Sequence, residues 1–141
     1  MEIDGISHLT FIVRDLERAA RFFCEGLGAR QVYASGDATF SLSRERFFLL
    51  GGVWLAAMEG EPPAARSYGH AAFKVAAADL PACAARLRAL GVDIQAPRAR
   101  VDGEGESLYF YDFDNHLFEL HSGSLQRRLQ RYGATQCSIS I

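Results

Sequence analysis

The sequence lacks the features that mark membrane-spanning, nucleic-acid-binding and disulfide-bonded proteins. No apolar run approaches the ~18 residues of a membrane span. No basic block appears and the formal net charge is −2, so we expect no nucleic-acid partner. The three cysteines are odd in number and far apart, which favours free thiols in a reducing, cytoplasmic compartment. Glu2 and Asp4 stand where an export signal would carry basic residues, so no export signal is expected.

The composition that remains is typical of a globular protein. Hydrophobic residues make up 49% of the 141 residues and charged residues 23%. This content is too apolar for disorder, and the length suits one domain or two small modules that share a core.

Two segments of the chain repeat one pattern. Residues 5–13 and 68–75 each place a histidine, then a phenylalanine three positions later and a valine five positions later. Each segment leads into an Asp-Leu pair, at Asp15 and at Asp79, and then into apolar residues at helical spacing that end at a glycine. Each half is therefore predicted to begin with a strand and an amphipathic helix whose N-cap is the aspartate.

Short β-rich runs follow each predicted helix. The predicted strands are 31–35, 39–42, 47–50 and 53–58 in the first half, and 92–95, 107–111 and 117–121 in the second. The fold class is thus α+β, with paired βαβββ modules that form one cupped mixed β-sheet. The predicted boundaries are 1–60 for the first module, 61–67 for a linker, 68–123 for the second module, and 124–141 for a C-terminal helix and tail. Small exposed sheets often cover their edges by pairing with a second copy, so we expect a homodimer.

Three side chains are candidate metal ligands. His8 and His70 hold equivalent positions in the two repeats, and a pseudo-twofold axis between the halves would bring them to one point. Glu119 lies in the middle of an apolar strand, where a carboxylate is costly to bury unless a cation binds it. Two imidazoles and one carboxylate leave coordination positions open, which is typical of catalytic sites for Mn, Fe, Ni, Co or Zn. His121 shares the face of Glu119 but lies nearer the strand end, so we assign it a supporting or surface position.

Three stretches of sequence, residues 7–16, 40–49 and 103–121, carry a resemblance to a known family. The chain resembles the vicinal oxygen chelate (glyoxalase/bleomycin resistance) superfamily and, within it, the hydrolytic branch of the fosfomycin resistance proteins. The resemblance extends from residue 5 to about residue 131. It implies a manganese-dependent enzyme, with other divalent metals as alternatives, that opens the epoxide ring of fosfomycin with water and so confers antibiotic resistance.

The resemblance also implies roles for individual residues. Glu45 matches a carboxylate that acts as the general base on water, which the thiol-transferring relatives lack. A set of hydroxyl and guanidinium groups would bind the phosphonate: Thr10, Ser107, Tyr109, Arg128 and a cation at Arg98 or Arg100, of which Arg100 is preferred.

Other functions remain open on the same scaffold. A glutathione-type thiol transferase would open the same epoxide with sulfur in place of water. A metal-free protein could bind the drug and sequester it without changing it. A ring-cleaving dioxygenase or isomerase could use the same two histidines and glutamate.

Overall fold

The computed structural model describes residues 2–97 and 102–133. The first half contains β1 (His8–Val13), α1 (Leu16–Arg21), β2 (Arg30–Ala34), β3 (Glu45–Leu50) and β4 (Val53–Glu59). The second half contains β5 (His70–Lys74), α2 (Leu80–Ala89), β6 (Asp93–Ile94), β7 (Ser107–Tyr111) and β8 (Leu117–His121), and α3 (Leu125–Arg131) follows. Both halves have the order βαβββ, which confirms the predicted paired modules. None of the helices in the described part of the chain has the length and hydrophobicity needed to cross a bilayer.

The two aspartates predicted as N-caps behave differently. Asp15 has an extended backbone, and its side chain accepts a hydrogen bond from the backbone nitrogen of Arg18 at 3.0 Å. Asp79 makes no such bond, so the prediction of a second capping side chain is wrong. The chain enters α2 through a 3₁₀ turn, Ala77–Asp79, which leaves Asp79 with φ −90° and ψ −14°. An N-cap side chain needs an extended backbone to reach back to the first turn.

The strands form two four-stranded sheets within one chain, β1-β4-β3-β2 and β5-β8-β7-β6, rather than one continuous sheet. Among the described residues, β1 and β5 are therefore both edge strands. The strand predicted at 39–42 is absent, because the backbone of Ser35 pairs with Glu45 and closes off residues 36–44 as a loop. The side chains of Phe40 and Leu42 in this loop are 80% and 90% exposed.

A shared aromatic core joins the two sheets. Phe22 and Phe23 lie in a π-helical turn, Phe22–Gly26, that continues α1. The ring of Phe23 lies 5.0 Å from Phe48 of the first sheet, and the ring of Phe22 lies 5.2 Å from Phe118 of the second. All four side chains are at most 1% exposed. Because alternate residues of a strand point to opposite faces, each sheet turns its other face away from this core.

Candidate metal and substrate site

The second sheet brings two of the predicted metal ligands together. Ala72 of β5 pairs with Glu119 of β8, and His70 lies two residues earlier on the same face of β5. The Nε2 atom of His70 lies 3.0 Å from Oε2 of Glu119. Glu119 is only 4% exposed, so its carboxylate is shielded from water, whereas the side chain of His70 is 22% exposed and remains accessible.

The hydrogen bond at Nδ1 of His70 and the distance between Nε2 and Glu119 suit the binding of a cation by this pair. Nδ1 of His70 lies 2.7 Å from the backbone oxygen of Tyr68, so Nδ1 carries a proton and Nε2 is the ring atom directed at Glu119, free to bind a cation when it is unprotonated. Two acceptor atoms 3.0 Å apart repel each other unless a proton or a cation lies between them. A metal–ligand distance of about 2.1 Å places neighbouring ligands of one ion roughly 3.0–3.4 Å apart, for angles between about 90° and 109°. The residues present therefore fit a transition-metal ion.

His8 does not join this pair within one chain. It begins β1 and pairs with Trp54, whose ring centroid lies 4.3 Å from that of His8, and its Nδ1 atom lies 3.0 Å from the hydroxyl of Ser7. Among residues 2–97 and 102–133, no three His, Cys, Asp or Glu side chains are placed to hold one ion. His8 and His70 nevertheless hold matching places, because each is the first residue of a strand that pairs in parallel with the last strand of its module.

The carboxylate of Glu119 is held by the next strand. Tyr109 of β7 pairs with Glu119, and the Ser107 hydroxyl donates to Oε1 of Glu119 at 2.5 Å. Burial raises the pKa of Glu119, but the hydrogen bond from Ser107, a hydrogen bond from Tyr109 and the charges that His121 and His70 carry when protonated together lower the pKa below its ordinary value. The carboxylate is therefore an anion at neutral pH.

The other predicted substrate groups lie beside this carboxylate or in the first sheet. Ser107 and Tyr109 of β7 lie beside Glu119, since Tyr109 is its register partner and the Ser107 hydroxyl donates to it. Arg128 extends from α3 and places a guanidinium nitrogen 3.3 Å from Nε2 of His121. Thr10 pairs with Ala56 in the first sheet, on the same face as His8. Arg100 and its alternative Arg98 lie outside the described residues.

Glu45 begins β3 and pairs with Met58, which places it on the same face of the first sheet as His8 and Thr10. It is 8% exposed. The predicted general base and the predicted ligand His8 thus belong to one face of the first sheet, whereas His70 and Glu119 belong to the second.

Sequence reasoning did not single out Tyr68, and it left the position of His121 open between a supporting one and a surface one. Tyr68 fixes the tautomer of His70 through its backbone oxygen, and its hydroxyl lies 3.2 Å from that of Tyr109. His121, assigned only a supporting or surface position, contacts Ser107 and Arg128. Alternation along β8 signalled the shared face of His121 and Glu119, but these hydrogen bonds depend on ring orientation, which the sequence does not encode locally.

The paired βαβββ modules and the His–Glu pair agree with one class of protein. The model of the Glyoxalase/Bleomycin resistance protein/Dioxygenase superfamily matches residues 5–120.

The chain is 57% identical over 129 residues to the fosfomycin resistance protein FosX of Mesorhizobium japonicum, covering 92% of this chain and 93% of that protein. A crystal structure of a FosX variant from Listeria monocytogenes, complexed with Mn(II) and 1S,2S-dihydroxypropylphosphonic acid, has a TM-score of 0.84 and 45% identity, covering 92% of this chain and 98% of that one. The metallothiol transferase FosB of Shouchella clausii is 35% identical, covering 94% of this chain and 90% of that protein. The chain belongs to the glyoxalase/bleomycin resistance superfamily and, within it, to the FosX family of fosfomycin resistance proteins.

Proposed function

We propose that this protein is a manganese-dependent epoxide hydrolase that adds water to fosfomycin and gives a vicinal diol. The observation that carries the proposal is the 3.0 Å contact between Nε2 of His70 and Oε2 of Glu119, an imidazole nitrogen and a carboxylate oxygen placed closely enough to bind one cation. The Listeria FosX variant contains Mn(II) and a dihydroxypropylphosphonic acid. A diol is the product expected when water opens an epoxide, whereas a thiol would leave a thioether.

His8, His70 and Glu119 are proposed to hold the metal across two copies of the chain. Within the described residues β1 and β5 are both edge strands, and an unpaired edge is a surface on which another strand can dock. Pairing β1 of one protomer with β5 of its partner would set two equivalent histidines side by side. This arrangement would also join the two types of sheet into the cupped sheet that the sequence predicts, and it supports the expected homodimer.

The chain's own groups divide the chemistry between them. Glu45 takes a proton from the attacking water, because water is a weak nucleophile until a base removes its proton in the transition state. Arg128 and Tyr109 bind the phosphonate oxygens with charged and hydroxyl donors. The Ser107 hydroxyl, also predicted to bind the phosphonate, donates to Glu119 in this structure.

Thr10 adds a hydroxyl on the face that carries His8, and Arg100 remains a predicted further cation. When bound, the divalent ion supplies Lewis-acid stabilisation of the charge that develops on the epoxide oxygen. The cytoplasmic location stays a prediction.

The reaction is tested by incubating Mn²⁺-loaded protein with fosfomycin, with and without glutathione, and measuring the product mass. We expect the mass of one added water under both conditions. A glutathione adduct would identify a thiol transferase, and unchanged drug would identify a sequestering protein; either result contradicts the proposal.

The shared site is tested by mixing two inactive variants, His8→Ala and His70→Ala. If each site takes its histidines from two protomers, a mixed dimer has one site with both ligands intact. Random assortment then restores about a quarter of wild-type activity, because half of the dimers are mixed and each has one working site. Activity that stays at the level of the separate variants would place all three ligands in one chain.

A further inference from the structure

We propose that His121 is a positioning residue that links the phosphonate-binding group Arg128, through Ser107, to the metal ligand Glu119 in one directed chain of hydrogen bonds. This inference rests on the proposed function, because the roles of Arg128, Ser107 and Glu119 are those proposed above. It assigns a task to a residue that sequence reasoning placed in a supporting or surface position.

The imidazole of His121 touches all three groups. Nδ1 lies 2.6 Å from the hydroxyl oxygen of Ser107 and 3.3 Å from Oε1 of Glu119. Nε2 lies 3.3 Å from a guanidinium nitrogen of Arg128. The side chain is 14% exposed, so these contacts form where water competes weakly.

Donor and acceptor chemistry gives the chain its direction. The single hydroxyl proton of Ser107 goes to Oε1 of Glu119, so the Ser107 oxygen accepts from Nδ1–H of His121. The guanidinium of Arg128 can only donate, so Nε2 of a neutral His121 ring is its acceptor. The order is therefore Arg128 to His121 to Ser107 to Glu119, with every proton directed toward the metal ligand.

The backbone beside the ring is shaped to admit it. A Cβ atom added to Gly123 would lie 2.5 Å from Nε2 of His121 and would overlap the backbone oxygen of Glu104. A Cβ atom added to Gly105 would lie 2.6 Å from the backbone nitrogen of Gly123. The two glycines thus let two backbone segments approach closely, and they leave room at the edge of the imidazole that meets Arg128.

If His121 is a positioning residue, its two hydrogen bonds affect two different binding steps, that of the metal and that of the substrate. Losing the Nδ1–H donor frees the Ser107 hydroxyl to rotate and weakens the hold on Glu119, which affects the metal. Losing the Nε2 acceptor frees Arg128, which affects the phosphonate. Replacing such a supporting partner of a metal ligand typically costs about 10–100-fold in metal affinity or activity.

Three substitutions separate these effects. His121→Phe keeps the ring and removes both hydrogen bonds. His121→Asn keeps an N–H donor near the position of Nδ1, and His121→Gln places an amide oxygen near the position of Nε2. His116→Phe is the matched control, because His116 is also a half-buried histidine of this module but bonds to Asp112, at 2.7 Å.

The readouts are the Kd of Mn²⁺, measured without substrate by electron paramagnetic resonance of the free ion, and the kcat and KM for fosfomycin. For His121→Phe we expect the Kd of Mn²⁺ and the KM each to rise about tenfold or more, with a smaller fall in kcat. His121→Asn should recover the affinity for Mn²⁺ but not the KM, and His121→Gln should recover the KM but not the affinity. The control should keep both values.

The proposal is overturned if a folded His121→Phe or His121→Asn protein keeps wild-type values of both Kd and KM, or loses kcat alone. Circular dichroism shows whether each variant is folded. A wild-type protein that adds no water to fosfomycin overturns the proposed function instead. In that case the affinities for Mn²⁺ and for 1S,2S-dihydroxypropylphosphonic acid still decide the role of His121, since both are measured without turnover.

Discussion

The carboxylate of Glu119 is a buried side chain whose neighbours keep it ionised. Burial alone favours the protonated form and raises the pKa of Glu119, but Ser107, His121, Tyr109 and His70 together bring the pKa below its ordinary value. An acid with a lowered pKa in the folded state stabilises the fold above its unfolded-state pKa. That contribution is lost as the pH falls through the folded-state pKa. The same hydrogen bonds that prepare Glu119 for a cation therefore stabilise the metal-free fold at neutral pH.

Ser107→Ala tests this stabilisation. The substitution removes the hydroxyl that donates to Glu119 and so raises the pKa of that carboxylate. We expect a loss of about 1–3 kcal/mol in the free energy of unfolding at pH 7. The difference in unfolding free energy between the variant and the wild type should become smaller as the pH falls through the pKa of Glu119. Urea unfolding of the metal-free protein at neutral and acidic pH measures the loss at pH 7 and its change with pH. Ser41→Ala, in an exposed loop, is the control. An equal loss of unfolding free energy at every pH would mean that the stabilisation by Ser107 does not depend on the ionised carboxylate of Glu119.

Glu45→Gln tests the general base. The variant keeps the size of the side chain but cannot accept a proton from water. We expect it to bind Mn²⁺ and fosfomycin as the wild type does, and to lose about 10²–10⁴-fold in diol formation. Phosphorus NMR follows the product, and Glu25→Gln, on an exposed turn, is the control. Diol formation at the wild-type rate would discard the assignment.

Individual residues were predictable where a simple periodicity governs them. The equivalence of His8 and His70 follows from the repeat, and the two residues have matching strand positions in the structure. Glu119 was grouped with His70 because a carboxylate in an apolar strand is costly to bury unless a cation binds it, and the 3.0 Å contact agrees with that grouping. The absence of His8 from this pair was not predictable, because it depends on how the two modules pack, which no local pattern encodes.

At the scale of helices and strands, the sequence located most elements correctly. The predicted strands at 107–111 and 117–121 coincide with β7 and β8. The prediction of a strand at 39–42 was wrong. The apolar side chains of this segment have no sheet face to pack against, as the exposure of Phe40 and Leu42 shows. The module boundaries at residues 60 and 68 stay a prediction.

The two helix starts provide a matched pair of substitutions. Asp15→Ala removes a side chain that accepts a hydrogen bond from the first turn of α1, so we expect it to cost about 1 kcal/mol of unfolding free energy. Asp79→Ala removes no capping bond and should cost much less. Urea unfolding of both variants gives the comparison. Equal losses would mean that the backbone conformation before the helix does not decide whether an aspartate caps it.

On the scale of the whole molecule, the shared core determines where the site faces lie. Phe22 and Phe23 bind both sheets to one core, so the faces that carry His8 and His70 are the faces left outside it. Within the described residues β1 and β5 each keep one unpaired edge. One chain thus builds the core, but it places His8 on one sheet and the His70–Glu119 pair on the other. A second copy of the chain is the simplest source of the histidine that this pair lacks.

This division predicts that metal binding and dimerisation are coupled. If His8 of one protomer and the His70–Glu119 pair of its partner hold the same ion, Mn²⁺ binds the dimer more tightly than the monomer. By linkage, each bound Mn²⁺ must then strengthen the dimer by the same factor. Analytical ultracentrifugation over a dilution series should show a lower dimer dissociation constant with Mn²⁺ than with a chelator. His8→Ala should abolish most of the difference, whereas His116→Ala, on a histidine outside the proposed ligand set, should retain it. An equal effect of Mn²⁺ in His8→Ala would mean that His8 does not join the two protomers through the ion.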